Sequence, residues 1–101
     1  MKASGNSQRH YAVVMSKQNK KLLLEKHREA ALLGKGAQFL AAFRLILQRL
    51  HRDPLIFGEP IYRLPALRLA VRQAMVSPLF VDYAVHEELP IVFIRGFKYW
   101  S

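Results

Sequence analysis

The clearest pattern in the chain is a helical repeat of apolar residues between positions 37 and 52. The apolar positions recur at i, i+1, i+4, i+7, i+8 and i+11, so they form one continuous stripe along a helix. Asp53-Pro54 ends the repeat, because proline lacks the amide that a helix interior requires. The pattern therefore predicts a helix over about residues 37–52. Its stripe consists of Phe39, Leu40, Phe43, Ile46, Leu47 and Leu50.

A second helix is predicted just before it, over about residues 17–33. Ser16 can cap its first turn, because a serine hydroxyl accepts a hydrogen bond from an amide one turn into the helix. The glycines of Gly34-Lys35-Gly36 then end the helix and let the chain reverse. Since this turn is short, we expect the two helices to form an antiparallel hairpin.

Strand-like runs lie on both sides of the hairpin, over about residues 9–15, 67–76, 79–86 and 91–97. Residues 53–65 hold three prolines and a glycine and are interpreted as a loop. The short turns between the last three strands favour an antiparallel meander. The predicted order is β-α-α-β-β-β. This is an α+β fold in which a helical hairpin packs on a twisted antiparallel sheet.

Alternation within the later strands assigns their side chains to two faces of the sheet. One consistent choice points the larger aliphatic residues and one tyrosine at the helices: Leu69, Val71, Val81, Tyr83, Val85, Val92 and Ile94. The alternate positions then share an open face that is charged and aromatic: Arg68, Arg72, Phe80, Asp82, His86, Phe93 and Arg95.

Length and composition indicate one small domain. A chain of 101 residues can build one hydrophobic core and is too short for two. Residues 1–8 are polar, so we expect a flexible N-terminal segment followed by a single domain over residues 9–101. The absence of cysteine excludes disulfides, thiol catalysis and cysteine-ligated zinc. The four histidines show no metal-ligand spacing, so we expect neither a metal nor a cofactor.

No secretory signal and no membrane span are expected. The start of the chain is polar, and the longest apolar runs, such as residues 39–43 and 90–94, are far shorter than the ~20 residues of a membrane helix. We expect the apolar stripe of the helix predicted over residues 37–52 to pack against the sheet rather than on a lipid surface. We therefore expect no membrane partner and a cytoplasmic location.

The chain is strongly basic, with a formal net charge of +9, and its charged residues are unevenly distributed. Residues 1–52 hold eleven Lys/Arg and two acids, whereas residues 53–101 hold five of each. A basic domain of this kind favours an anionic partner such as nucleic acid or an acidic protein. The alternative is a well-solvated surface with no dedicated partner, since net charge also promotes solubility.

Three segments in the last third of the chain carry a family resemblance. They are Arg-Leu-Ala-Val at 68–71, Leu-Phe-Val-Asp-Tyr-Ala-Val at 79–85, and Ile-Val-Phe-Ile-Arg-Gly-Phe-Lys at 91–98. With the order of elements, they resemble the RelE/ParE toxin superfamily, and most closely its branch of HigB-like toxins and related phage proteins. The element order spans nearly the whole chain, whereas the motif-level match covers only residues 67–98.

The resemblance implies the toxin of a type II toxin–antitoxin module. Toxins of the RelE and HigB type cleave mRNA without a metal, often on the ribosome, whereas ParE-type relatives poison DNA gyrase. A cognate antitoxin neutralises either kind. We therefore expect a metal-independent mRNA endoribonuclease, with RNA or the ribosome and an antitoxin as partners. The alternative is a non-catalytic member that binds gyrase, nucleic acid or an antitoxin.

Four basic residues are the candidate catalytic groups. Arg68 and Lys98 match basic positions of the resembled family, and Arg72 and Arg95 join them because alternation assigns both to the open face. Such cations would bind phosphate and stabilise the charge that develops during RNA cleavage. Alternatively they solvate the sheet face and pair with Asp82.

A second set of residues is predicted to bind nucleic acid without taking part in catalysis. Lys17, Lys20 and Lys21 on the first helix could contact phosphates, and Tyr99 and Trp100 could stack on bases. The alternatives are a solvated helix face for the lysines and packing over a core edge for the two aromatic residues.

Two further side chains have a weaker chemical case. Tyr83 matches the tyrosine of the resembled family, but alternation points it inward, which favours a structural role. His86 beside Glu87 could act as a general base, although a histidine at a hairpin end is usually incidental. The resembled family usually has an arginine where Ser77-Pro78-Leu79 stands, which favours a repurposed member.

Overall fold

The computed structural model of this protein describes residues 10–99. The predicted α+β class is confirmed, with two helices packed on a five-stranded sheet. The predicted flexible segment 1–8 lies outside the described residues, as do Arg9 and Trp100. In chain order the elements are β1 Ala12–Met15, α1 Lys17–Leu32, α2 Gly36–Arg52, β2 Glu59–Leu64, β3 Leu69–Val76, β4 Leu79–His86 and β5 Ile91–Tyr99.

The helical hairpin forms as the sequence predicts. The Ser16 hydroxyl accepts from the Asn19 amide at 3.1 Å, and Gly34 takes a left-handed conformation (φ 74°) just after α1. The apolar stripe of α2 supplies Ile46 and Leu50, both with no solvent exposure, to the core. Each such burial contributes about 1.5–3 kcal/mol, so α2 is the main helical anchor of the fold.

Residues 59–64 form the strand β2, which the predicted loop over 53–65 did not include. β2 pairs antiparallel with β3 at one edge of the sheet, and five of its six residues are exposed. Pro60 is tolerated here because an edge strand has one side without partners. An exposed strand of this kind shows no apolar alternation, which is the signal that the prediction used.

The strands lie in the order β1-β5-β4-β3-β2. β3 to β5 form the predicted antiparallel meander, and β2 extends it by one strand. β1 pairs parallel with β5, so the expectation of a wholly antiparallel sheet is wrong at that edge. β5, the last strand of the meander, runs in the same direction as β1, so the short strand β1 pairs with it in parallel.

The two faces of the sheet are as predicted on β4 and reversed on β3. Val81, Tyr83 and Val85 of β4 are fully buried toward the helices, on what we call the inner face. The register pairs Tyr83 with Arg72 and Val71 with Ala84, so Arg72 lies on the inner face and Val71 lies on the open face.

Small residues explain the reversal on β3. Ala74 is opposite Val81 on the inner face, where it is buried and leaves room for the loop between α2 and β2. A Cβ added at Gly58 in that loop would lie 3.0 Å from the Ala74 Cβ. The prediction wrongly pointed Leu69 and Val71 inward because it ranked side chains by apolar size.

Candidate nucleic-acid interface

The open face carries a row of four side chains in register across the sheet. Tyr62 of β2, Val71 of β3, Ala84 of β4 and Phe93 of β5 are direct neighbours in that order. Val71 and Ala84 are 1% and 0% exposed although the helices pack on the other face of the sheet. The centre of the open face is therefore closed to solvent at these two positions.

Arg95 and Tyr62 form a bridge across the open face. Arg95 Nη1 donates to Tyr62 Oη at 3.0 Å, and the guanidinium carbon lies 5.9 Å from the centre of the tyrosine ring. The two residues belong to β5 and β2, so their side chains must pass over the intervening strands to meet. The small side chains of Val71 and Ala84 leave the space for them, and the result is a cation–aromatic surface at the centre of the open face.

A β-bulge in β5 sets the direction of the cations at this surface. Ile94 is opposite Tyr83 and Gly96 is opposite Asp82, so Arg95 is the extra residue. The bulge shifts the alternation that follows it. Phe97 is therefore buried on the inner face, and Lys98 lies on the open face opposite Phe80.

Arg95 is a permanent cation with two partners. Its Nη1 lies 3.7 Å from Asp82 Oδ1, which is too long for a hydrogen bond. The hydrogen bond to Tyr62 raises the pKa of Arg95, partial burial opposes the rise, and the nearby Asp82 carboxylate adds to it. A phosphate that reaches the open face would therefore always meet a charged guanidinium.

The first turn of α1 is tied to the same bulge. Asn19 Nδ2 donates to the carbonyl oxygens of Ile94 (3.3 Å) and Arg95 (3.2 Å). The predicted phosphate-binding residues lie in the first two turns of this helix, and all three are exposed. They therefore lie on the helix whose Asn19 contacts the backbone of Arg95. These residues are Lys17, Lys20 and Lys21.

Of the four predicted catalytic residues, two share the open face and two do not. Arg95 and Lys98 share it, as described above. Arg68 precedes β3 in a left-handed conformation (φ 55°), and its guanidinium bonds to Glu88 at the exposed end of the sheet. That ion pair leaves Arg68 away from the bridge at the centre of the open face.

Arg72 has a structural role that corrects its predicted place on the open face. Its Nε donates to the Phe57 carbonyl oxygen at 3.2 Å and its Nη2 to the Gly58 carbonyl oxygen at 3.1 Å. Both acceptors belong to the loop that packs over the inner face. The arginine therefore holds the α2–β2 loop in place, and the proposed convergence of four basic residues does not occur.

Tyr83 is buried, as its alternation predicted, and it anchors the same loop. Its hydroxyl lies within hydrogen-bonding distance of the carbonyl oxygens of Pro54 (2.9 Å) and Phe57, between which its one proton is shared. Burial raises the pKa of Tyr83, while the neighbouring Arg72 guanidinium partly opposes the rise. The tyrosine is thus kept neutral inside the protein.

Tyr99 and His86 have structural contacts of their own. The Tyr99 ring packs edge-on against Phe39 at 5.6 Å between centroids, in line with the packing alternative to base stacking. His86 Nδ1 accepts from the amides of Glu88 (3.1 Å) and Leu89 (3.0 Å), so that nitrogen closes the β4–β5 turn. Trp100, the other predicted stacking residue, lies outside the described residues.

Sequence reasoning missed Tyr62, the aromatic half of the bridge. It lies in β2, which showed no strand pattern, and it meets a residue 33 positions away. Within residues 10–99, no group of three or more His, Asp or Glu side chains is placed to hold a metal ion. Nor is any helix in that range both long and apolar enough to cross a membrane.

Comparison of the chain with family models, with curated proteins and with solved structures found no match.

Proposed function

We propose that this protein binds single-stranded RNA across the open face of its sheet. The observation that carries the proposal is the bridge of Arg95 and Tyr62, flanked by Phe93 on its own row and by Lys98 beyond the bulge. Aromatic rings next to cations suit single strands, because bases stack on the rings while phosphates meet the charges. The net charge of +9 supports an anionic ligand.

The endoribonuclease implied by the family resemblance is the narrower form of this proposal. It is supported by two cations, Arg95 and Lys98, which share the open face with the titratable side chains of Asp82 and His86. RNA cleavage needs proton transfer as well as phosphate stabilisation, and titratable side chains of this kind can transfer protons. The messenger RNA, the antitoxin and a gyrase target belong to the same resemblance and are proposals on the same basis.

The test is RNA binding by paired variants of equal charge. Arg95→Ala/Lys98→Ala removes two cations from the open face, whereas Lys35→Ala/Arg44→Ala removes two exposed cations from the helical hairpin. Hydrogen bonds to charged groups contribute about 1.5–3 kcal/mol each, so the first variant should bind a 12-nucleotide single-stranded RNA at least about tenfold more weakly. The second should bind nearly as the wild type does.

Fluorescence anisotropy at fixed salt measures the affinity, and circular dichroism confirms that both variants fold. Equal affinities of the two variants would contradict an RNA site on the open face. Gel analysis of the same mixtures, with EDTA present, follows cleavage. Products formed by the wild type and not by Arg95→Ala/Lys98→Ala favour the nuclease, and intact RNA with tight binding favours the non-catalytic form.

A further inference from the structure

The strand β1 forms one edge of the sheet, and no strand among residues 10–99 lies on its outer side. The Ala12 amide donates to the Pro90 carbonyl oxygen at 2.8 Å, so the backbone groups of Ala12 point toward β5. Backbone groups point to alternate sides along a strand, which places the amides and carbonyl oxygens of Val13 and Met15 on the outer side. These two residues therefore offer donors and acceptors to a further strand.

The sequence of β1 lacks the features that keep exposed edge strands from pairing. Natural sheets protect such strands with charged residues, prolines and bulges. The other edge strand, β2, has all three, in Glu59 and Arg63, in Pro60, and in the bulge between Pro60 and Tyr62. β1 consists of Ala-Val-Val-Met in continuous register with β5. The edge at β1 is therefore open to an added strand, which is a recurring way of binding an extended segment.

An apolar groove of about 490 Å³ opens between this edge and the two helices. Its apolar lining comes from β1 and both helices, and each of these side chains is only partly buried at the border of the core: Val13, Met15, Leu23, Phe43 and Leu47. A strand added to β1 would direct every second side chain to the same face as Val13 and Met15. Apolar side chains at those positions would fill the groove.

The polar side chains at the groove are basic. Among residues 10–99, the polar residues that line it are Lys20 and His51. Lys17 is exposed nearby in the first turn of α1, which holds no acid. A second copy of this chain would bring its own net charge of +9 to this edge, so like charges oppose that pairing. Charge complementarity favours an acidic partner instead.

We propose that the outer edge of β1 binds an extended acidic segment of another protein, which adds one strand to the sheet. The segment pairs with the backbone of Val13 and Met15, and its alternate apolar side chains occupy the groove. Antiparallel pairing is the more stable kind per residue, and it brings the N-terminal end of the segment past Met15 to Lys17 and Lys20, where its acids lie. This inference goes beyond RNA binding and does not depend on it, because the groove lies on the inner side of the sheet.

The test uses the wild-type chain and a capped, fluorescent peptide of sequence Glu-Glu-Val-Thr-Val-Thr-Val, with fluorescence anisotropy as the measure of affinity. A peptide with lysines in place of both glutamates should bind about tenfold more weakly. A peptide N-methylated at its valines lacks the amides that pair with β1 and should also bind at least about tenfold more weakly. In the complex with the first peptide, hydrogen exchange of the Val13 and Met15 amides should slow by about tenfold or more.

The variant arm changes one charge at the groove. Lys20→Glu should abolish the preference for the glutamate peptide over the lysine peptide. Lys35→Glu makes the same change of charge in the turn between the helices and should keep the preference. Circular dichroism confirms that both variants fold.

The proposal is overturned if the glutamate peptide does not bind, if the three peptides bind equally, or if the preference survives Lys20→Glu. Binding that leaves the exchange of the Val13 and Met15 amides unchanged overturns it as well. Dimers of the wild-type chain in sedimentation, with those two amides protected, would assign the edge to a second copy and likewise overturn the acidic partner.

Discussion

Single residues fix the loop between α2 and β2, and Gly58 is the one with the least freedom. Its φ is 71°, and an added Cβ would lie 2.9 Å from Tyr83 Oη and closer still to the Gln73 carbonyl oxygen. Gly34 has a similar φ of 74° but open space around it. The two glycines therefore separate the effect of backbone strain from the effect of crowding.

We predict that Gly58→Ala destabilises the protein more than Gly34→Ala. Left-handed strain alone should lower the free energy of unfolding by about 1–2 kcal/mol in Gly34→Ala. Gly58→Ala adds a displacement of the loop from Tyr83 and should lower it by about 1–3 kcal/mol more, as overpacked sites do. Urea unfolding of the two variants measures the difference. Equal decreases in the free energy of unfolding would mean that the loop can shift to accommodate the added methyl group at little cost.

Because Tyr83 anchors the same loop, its ionisation makes the stability of the fold depend on pH. Because its pKa in the folded state is raised, the neutral hydroxyl stabilises the fold fully below the ordinary tyrosine pKa of about 10. That stabilisation is lost as the pH rises through the folded-state value. The sign follows from burial, which disfavours the phenolate, and the nearby carbonyl acceptors also favour the protonated form.

We predict that Tyr83→Phe lowers the free energy of unfolding by about 1–3 kcal/mol at pH 7, since the buried Pro54 carbonyl oxygen loses the hydroxyl donor and the Phe57 carbonyl oxygen keeps only the one from Arg72. The gap between wild type and variant should narrow above about pH 10, where the wild type loses the contribution of its tyrosine. Urea unfolding at several pH values between 7 and 11 measures the gap. Tyr99→Phe, which removes a hydroxyl that has no hydrogen-bond partner among residues 10–99, should change the free energy of unfolding at pH 7 by no more than about 0.5 kcal/mol. A gap that stays constant would argue against titration of Tyr83 in this range.

At the scale of elements, α1 is held to the sheet by few strong contacts. Ala30 is its one fully buried residue, whereas Leu24 and Leu32 are 67% and 82% exposed. The hydrogen bonds of Asn19 to Ile94 and Arg95 are therefore a large share of what sets the position of the helix. The same two bonds support the bulge that directs Arg95.

We predict that Asn19→Ala lowers the free energy of unfolding by about 1–3 kcal/mol, because two side-chain hydrogen bonds to the backbone are lost. It should also weaken RNA binding, since Arg95 loses the support behind its bulge. Gln18→Ala, one residue earlier on an exposed position, should change neither quantity appreciably. Urea unfolding and fluorescence anisotropy of the two variants give the comparison, and an unchanged affinity in Asn19→Ala would show that the bulge holds without α1.

The elements that the sequence predicted well are those with one clear buried face. The stripe of α2 and the alternation of β4 both match the structure, because each has polar residues opposite apolar ones. β2 has no apolar face opposite a polar one, since five of its six residues are exposed. The bulge at Arg95 shifts the alternation of β5 by one residue, and the sequence around it gives no sign of the shift. Arg95 was nevertheless assigned to the correct face, since it lies before the shift takes effect. Its bridge to Tyr62 depends on pairings that only the folded sheet creates.

At the scale of the whole molecule, the fold decides which charges can act together. The excess of positive charge belongs to residues 1–52, whereas residues 53–101 sum to zero. The open face itself holds acids as well as cations, so its affinity for RNA cannot come from net charge alone. The first turns of α1 hold three of these cations, and the helix contacts β5 at the Arg95 carbonyl oxygen.

We predict that an RNA strand on the open face continues past the sheet edge to the lysines of α1. Each neutralised phosphate of a single strand contributes a slope of about −0.7 to a plot of log affinity against log salt concentration. The triple variant Lys17→Ala/Lys20→Ala/Lys21→Ala should therefore make the slope shallower by up to about 2 for a 12-nucleotide RNA. Arg44→Ala, on the exposed side of α2, should leave it unchanged. Fluorescence anisotropy between about 50 and 200 mM salt, the range over which such contacts weaken binding most visibly, supplies the slopes. Equal slopes for the wild type and the triple variant would mean that the RNA contacts only the sheet and that the lysines of α1 are simply solvated.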